Sequence, residues 1–253
     1  RLVHPVLSVA RKADGTLEAI GEGDARIRES MVYMEAPRAD ARTRAKLRNA
    51  LESTLADVRV AVADWPKLQA AMLADADRLA TEGSQAREGA ALLRWINDNM
   101  LTQLGHVDRY RDGRQADVLG VCRRTARSLL SAISYERTFA WFEHSASRAM
   151  LIIKSNRICQ VHRRVPLDLF IVPVREGKQI VALSVHAGVW TSAALAAPPG
   201  QVPRMRAQLD SLMKRLDFSA SGHAGKALVH ALTRLPHDLL IAFEDADLRR
   251  VAT

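Results

Sequence analysis

At 253 residues, 48% hydrophobic and 26% charged, the chain has the balance of a globular protein and the length for one large or two modest domains. No apolar run reaches the roughly 18 residues a membrane-spanning helix needs, and two cysteines, Cys122 and Cys159, are too few for a disulfide framework. The net charge of +9 raises the question of nucleic acid, but Arg makes up thirty of the 37 basic residues and is dispersed, with only the short pairs Arg123-Arg124, Arg163-Arg164 and Arg249-Arg250 and no interleaved stacking aromatics.

The opening RLVHPVLSV carries neither Met nor the charged leader and long apolar region of a signal peptide, so it reads as the inside of a longer chain. With its cysteines unpaired, the expected compartment is cytoplasmic. Val3–Val9 alternates as a strand, Asp14-Gly15 marks a tight turn into Leu17–Ile20, and a third strand is expected over Ser30–Glu35. Asp40 is placed to cap a helix in which Leu47, Leu51, Leu55, Val58, Val62 and Trp65 recur at helical spacing, one apolar stripe to lay on a sheet. Asp64-Trp65-Pro66 is expected to break that helix, with a second running to Ala80. After the joint Glu82-Gly83-Ser84, a third helix turns Leu92, Leu93, Ile96 and Met100 inward.

Leu101–Tyr110 and Asp117–Cys122, joined by Asp112-Gly113, predict a hairpin. Leu129, Leu130 and Ile133 suggest a short helix, and Phe139, Trp141 and Phe142 a cover for a sheet edge. Three β-branched runs follow, Leu151–Ile153, Leu167–Val174 and Ile180–Val189, the mark of antiparallel strands in one sheet with helices on one side. Ala197-Pro198-Pro199-Gly200 is the clearest break. Beyond it lie two helices, with faces Met205, Leu209, Leu212, Leu216 and Ala227, Leu228, Ala231, Leu232, Leu235, and then a run of strand character, Leu239–Phe243.

Catalytic and cofactor patterns fail one by one. Gly21-Glu22-Gly23 has Arg26 where a dinucleotide fingerprint needs its third Gly. Gly222-His223-Ala224-Gly225-Lys226 has Ala at 220 and 227, where a phosphate loop needs Gly and Ser or Thr. His223, His230 and His237 stand two helical turns apart, about 10 Å, too far to share a metal. Ser192 lacks the flanking glycines of a nucleophile elbow. Two polar islands remain inside the β-rich stretch: Lys154-Ser155-Asn156, followed by His162, and Thr191-Ser192. They read either as turn chemistry, Ser and Asn bonding their own backbone, or as a polar cluster that binds an effector or docks a domain.

These islands also carry a resemblance. Lys154-Ser155-Asn156, Val161-His162-Arg163 and Thr191-Ser192-Ala193-Ala194 resemble the amino-terminal half of the large bacterial NAD-dependent glutamate dehydrogenases. Collinear with them are His4-Pro5-Val6-Leu7, Asp14-Gly15, Glu29-Ser30-Met31, Leu93-Arg94-Trp95, Leu104-Gly105, the run from His223 to Leu228, and Pro236-His237-Asp238. Ala224 replaces a usual acidic residue, and His237-Asp238-Leu239 a more common Arg-Asp-Glu.

The resemblance implies an α+β fold: an antiparallel PAS-like sheet with flanking helices, preceded and followed by partial ACT-like (ferredoxin-like) units. The expected divisions are 1–65, a partial ACT-like unit; 66–84, a helical connector; 85–200, the PAS-like domain; and 201–253, a helical segment opening a further ACT-like unit. It also implies a parent enzyme that oxidises L-glutamate with NAD to 2-oxoglutarate and ammonia, using a nicotinamide site and a Lys/Asp pair in its other half. The chain itself is then expected to hold no catalytic, cofactor-binding or metal-binding residue. It would serve regulation or assembly, with Lys154, Ser155, Asn156, His162, Thr191 and Ser192 as effector-binding or docking candidates. Its partners would be the remaining domains of the parent, other subunits of a homo-oligomer and an amino-acid effector, not nucleic acid or membrane. The rival readings are a purely structural oligomerisation scaffold and, further off, an independent nucleic-acid-binding module.

Overall fold

A computed structural model describes residues 1–21, 27–125, 129–144, 149–243 and 250. The Glu22-Gly23 and Arg26 positions of the failed fingerprint, and Arg249, lie outside the described residues. Internal packing divides the chain into Arg1–Leu51 and Glu52–Thr253.

In the first unit β1 (Leu2–Val3) pairs with β5 (Tyr33–Met34), while β2 (Val6–Arg11) lies between β3 (Leu17–Ile20) and β4 (Ile27–Ser30). The single strand expected over Val3–Val9 is divided because Pro5 has no N–H to give a ladder; its carbonyl still accepts from Met31. For the same reason the strand expected over Ser30–Glu35 becomes two, each following its own partner. The turn at Asp14-Gly15 forms as read: Gly15 takes φ +84° and Asp14 accepts from the Thr16 N–H at 2.9 Å.

Helix α1 runs unbroken from Ala41 to Ala80, with Pro66 inside it. An interior proline costs about 3 kcal/mol, and the turns on either side are held by tertiary contacts. Asp64 accepts from the Gly120 N–H and from Arg123, and Leu68 is fully buried. The buried face of α1 is Asp57, Ala61, Asp64, Leu68, Met72, Asp75, Ala76 and Leu79. The apolar stripe expected to pack is the neighbouring one, and its Leu47, Leu51, Leu55, Val62 and Trp65 stay exposed.

The second unit is built on a five-stranded, wholly antiparallel sheet in the order β7-β6-β10-β9-β8: β6 (Leu101–Tyr110), β7 (Gln115–Gly120), β8 (Leu151–Ile158), β9 (Pro166–Glu176) and β10 (Gln179–Trp190). Successive side chains of a strand point to opposite faces, and here both faces are covered. Phe170, Val172 and Trp190 face a core shared with Met72, Ala76 and Leu79 of α1, with α2 (Ser84–Trp95), and with α5 (Ser192–Ala196), α6 (Met205–Arg215), α7 (His223–Leu232) and α8 (His237–Ala242). Leu169, Ile171, Leu183 and Val185 face a second core with Val121 and Cys122, which opens α3 (Cys122–Thr125), and with Tyr135, Phe139 and Phe142 of α4 (Ala132–Glu143).

The expected one-sided sheet is therefore wrong. The runs in β9 and β10 are nearly continuous because both faces bury them. Phe139 and Phe142 fill the second core rather than cap an edge, and Ile133 is exposed. Leu239–Phe243, expected as a strand, lies mostly within helix α8, whose Leu240 and Ile241 close the first core. The α+β class with antiparallel sheets and flanking helices stands.

Candidate functional site

The six side chains singled out in the sequence do not converge. Neighbours on a strand point apart, so Lys154 and Ser155 of β8 leave it on opposite sides. Lys154 Nζ donates to Asp168 Oδ1 at 2.6 Å and to Asp238 Oδ2 at 2.7 Å, tying α8 to the sheet. Burial works against its charge, but the two carboxylates win and hold its ammonium above the usual range. Burial likewise pushes the Asp168 carboxyl upward against the pull of Lys154. Ser155 is buried; its hydroxyl donates to the Leu129 carbonyl at 2.7 Å and accepts from the Arg157 N–H. Thr191 caps α5, accepting from the Ala194 N–H and donating to the Met100 carbonyl. Asn156, Ser192 and His162 are exposed, His162 at φ +71°.

The densest polar cluster lies elsewhere, where α1 crosses β6, β7 and β10. His186 and Ser184 of β10 stand directly across from His106 and Asp108 of β6. All four point to the face that α1 covers with Asp75 and Arg78. His186 Nε2 approaches Asp75 Oδ2 at 2.8 Å, and Ser184 Oγ donates to the same oxygen at 2.5 Å. Arg78 donates to the other oxygen, Asp75 Oδ1, and to the Pro173 carbonyl. The two imidazoles lie 4.6 Å apart between centroids. Beside them opens a cavity of about 410 Å³, lined by Lys67, Asp75, Arg78, His106, Asp108 and Asp117 among the polar residues and by Ala71, Ala74, Leu119 and Val174 among the apolar ones.

Burial would raise the Asp75 carboxyl, but the hydrogen bond and charge of His186, with Arg78 and Ser184, hold it well below the usual range. Burial and the charge of His186 push His106 down to about 3, so His106 is neutral near pH 7. Burial, then the charges of Asp75 and Asp117, push Asp108 up to about 6.

Serine, histidine and aspartate thus meet, but not in catalytic order. A nucleophilic triad needs the imidazole between acid and hydroxyl, one on each ring nitrogen. Here acid and hydroxyl share the Nε2 side, Ser184 gives its proton to Asp75, and Ser184 Oγ stands 3.5 Å from Nε2. Asp75, held below the usual carboxylate range, is too weak a base to activate the serine.

The two thiols are equally quiet. Cys122 and Cys159 are buried and unpaired, as expected, and burial pushes Cys122 up to about 12. For NAD, every strand pairing among the described residues is antiparallel, so none of them forms the parallel βαβ crossover of a dinucleotide fold.

The sequence did hold a signal for this cluster. His106 and Asp108 interrupt one apolar strand at spacing two, and Ser184 and His186 interrupt another in the same way. Polar residues at period two in doubly buried strands mark one polar stripe within an interior. Asp75 carried no such mark.

Fold and cluster together define an α+β chain whose five-stranded sheet is packed on both faces and carries a polar cavity beside α1. Residues 202–253, which include α6, α7 and α8, match the family model "Glutamate dehydrogenase, helical motif 1". The chain is also 27% identical over 254 residues to the NAD-specific glutamate dehydrogenase of Pseudomonas aeruginosa, covering 92% of this chain and 16% of that protein. Against the enzyme of the same name from Halomonas elongata it is 27% identical over 274 residues, 98% of this chain and 17% of that protein. The resemblance read from the sequence therefore holds: the chain is similar to the large NAD-specific glutamate dehydrogenases, and it spans about one sixth of their length.

Proposed function

We propose that this chain is a non-catalytic regulatory and assembly segment of an NAD-dependent glutamate dehydrogenase, with partial ACT-like units around a PAS-like core. The parent, in the cytoplasm, oxidises L-glutamate with NAD to 2-oxoglutarate and ammonia; the hydride and proton transfers belong to its other domains. The antiparallel five-stranded sheet supports the PAS-like reading, and the hairpin-bearing first unit is compatible with an ACT-like piece.

The observation that carries the assembly role is the uncovered stripe of α1. Leu55 is 50% exposed, Val62 70% and Trp65 47%, on a helix whose adjoining face is already buried. Apolar rows of this kind on a packed helix mark partner faces. Because relatives are about six times longer, the partner is another part of the parent assembly, a remaining domain or a second subunit. The Val62→Glu, Trp65→Glu double variant of the intact parent is expected to lower its oligomer mass in light scattering. An unchanged mass overturns a role in subunit contact. The isolated chain is expected to form no NADH from L-glutamate and NAD; measurable turnover overturns the non-catalytic one.

A further inference from the structure

On the other face of the five-stranded sheet, the one that α4 covers, three buried donors go without an acceptor. Tyr135 Oη, Gln115 Nε2 and Arg175 Nη2 are each closed off from solvent and make no hydrogen bond. Tyr135 is 4% exposed, and burial pushes its phenol up to about 12, so near neutral pH it keeps a proton to donate. These groups share one end of the sheet. Gln115 of β7 stands directly across from Arg109 of β6, and Arg109 across from Leu183 of β10, which faces the α4 core. Leu183 is in turn across from Pro173 of β9, and Arg175 follows two residues on, so it leaves the sheet on that same side. The Arg109 guanidinium carbon lies 5.3 Å from the Tyr135 ring centroid.

Charge points the same way. Arg109 donates to the Gly113 carbonyl, and the neighbouring Glu143 is taken by Arg111. Among the described residues no carboxylate pairs with Arg109 or Arg175. A buried donor without an acceptor carries its full desolvation cost, so donors left in this way call for an acceptor from outside the chain.

We propose that this end of the α4-covered face binds a phosphate group, with Arg109 and Arg175 matching its charge and Gln115 and Tyr135 adding neutral donors. A phosphate carries about two negative charges and three strong acceptor oxygens, which suits two guanidiniums and two further donors. A single carboxylate, with one charge and two oxygens, would leave a cation unmatched. Arg109, Gln115 and Arg175 are half-buried, so the site lies at the margin of the core and not sealed within it. The inference depends on neither the assembly role nor the α1 cavity.

Thermal unfolding and isothermal titration of the 253-residue chain test it, with inorganic phosphate and glycerol 3-phosphate as probes and sodium chloride and sodium acetate at matched ionic strength as controls. Saturating phosphate is expected to raise Tm by about 2 °C or more over chloride, because a ligand held only by the folded chain stabilises it. Tyr135→Phe keeps the ring and Arg175→Met most of the stem, and each is expected to weaken phosphate by about 10-fold. Neither removes a hydrogen bond from the unliganded chain, and its Tm in chloride verifies folding. Arg137→Ala, an exposed charge on α4, is expected to leave phosphate binding unchanged, which separates a built site from general attraction to a chain of net charge +9. Glycerol 3-phosphate binding as tightly as phosphate or tighter assigns the site to an organic phosphate, and weaker binding assigns it to the free ion. No phosphate-specific heat or stabilisation overturns the proposal, as does acetate that binds equally well or phosphate binding that neither Tyr135→Phe nor Arg175→Met alters.

Discussion

Asp75 and Asp108 line one cavity, yet their carboxyls are driven in opposite directions: His186, Arg78 and Ser184 together outweigh the burial of Asp75, whereas burial and the charges of Asp75 and Asp117 outweigh what His186 and Ser184 give Asp108. Asp75 is depressed below its unfolded value, so the stability it contributes is present above the ordinary carboxylate range and is lost as pH falls through its lower folded value. Removing it leaves His186 and Ser184 buried without their acceptor. The Asp75→Ala variant is expected to lose about 3 kcal/mol in a urea unfolding experiment near neutral pH; a loss comparable to that of an ordinary surface substitution would contradict the network.

For Asp108 the sign is reversed. Its carboxyl is raised to about 6, so it favours the fold below the unfolded value and opposes it as pH rises through about 6. The Asp108→Asn variant is therefore expected to be more stable than the parent chain by about 1–2 kcal/mol at about pH 8, after allowance for its partial exposure, with the gain vanishing at about pH 4. His106 runs the other way: lowered to about 3, it contributes stability above its ordinary value that fades as pH drops toward 3. Paired urea midpoints at the two pH values measure the Asp108 effect.

At the scale of elements, α1 is two-faced, and its buried face is the less apolar one. Asp57, Asp64 and Asp75 lie on it. Arg124 Nε stands 2.9 Å from Asp57, Arg123 bonds Asp64 and Arg78 bonds Asp75, so the buried charges are matched. A periodicity count favours the row with more leucine and valine, and that count picked the exposed stripe. The end of β7 shows how tightly the sheet meets α1. Gly120 takes φ +58°, gives its N–H to Asp64 at 2.8 Å, and would place a Cβ 2.1 Å from the Leu104 carbonyl oxygen. The Gly120→Ala variant is expected to lose about 2 kcal/mol or more, measured by thermal or urea denaturation, from both the strained φ and the clash. A neutral substitution would mean that the strand end is free to shift.

At the scale of the whole molecule, the proposed assembly surface of Leu55, Val62 and Trp65 would have a recognisable salt response. Contacts of this kind are hydrophobic, so raising NaCl from about 0.05 to about 0.5 M is expected to leave the oligomer mass of the intact parent unchanged in light scattering. An interface of Arg–carboxylate pairs would loosen over the same range. No helix among the described residues is long and apolar enough to cross a membrane, so the exposed stripe is not part of a membrane span.

Much of this was legible in the residues. The β-branched runs placed β8, β9 and β10, the glycine turns placed two hairpins, and the collinear motifs led to the glutamate dehydrogenase resemblance. These signals are local, set by backbone sterics and by side-chain period, and a single chain carries them in full. The tertiary structure alone decided which face of α1 is buried, whether Pro66 breaks it, whether Leu239–Phe243 is strand or helix, and that Asp75 meets Ser184 and His186 across more than a hundred residues. Each of those outcomes depends on partners distant in the chain, whose desolvation and hydrogen bonding outweigh local propensities of a kcal/mol or so.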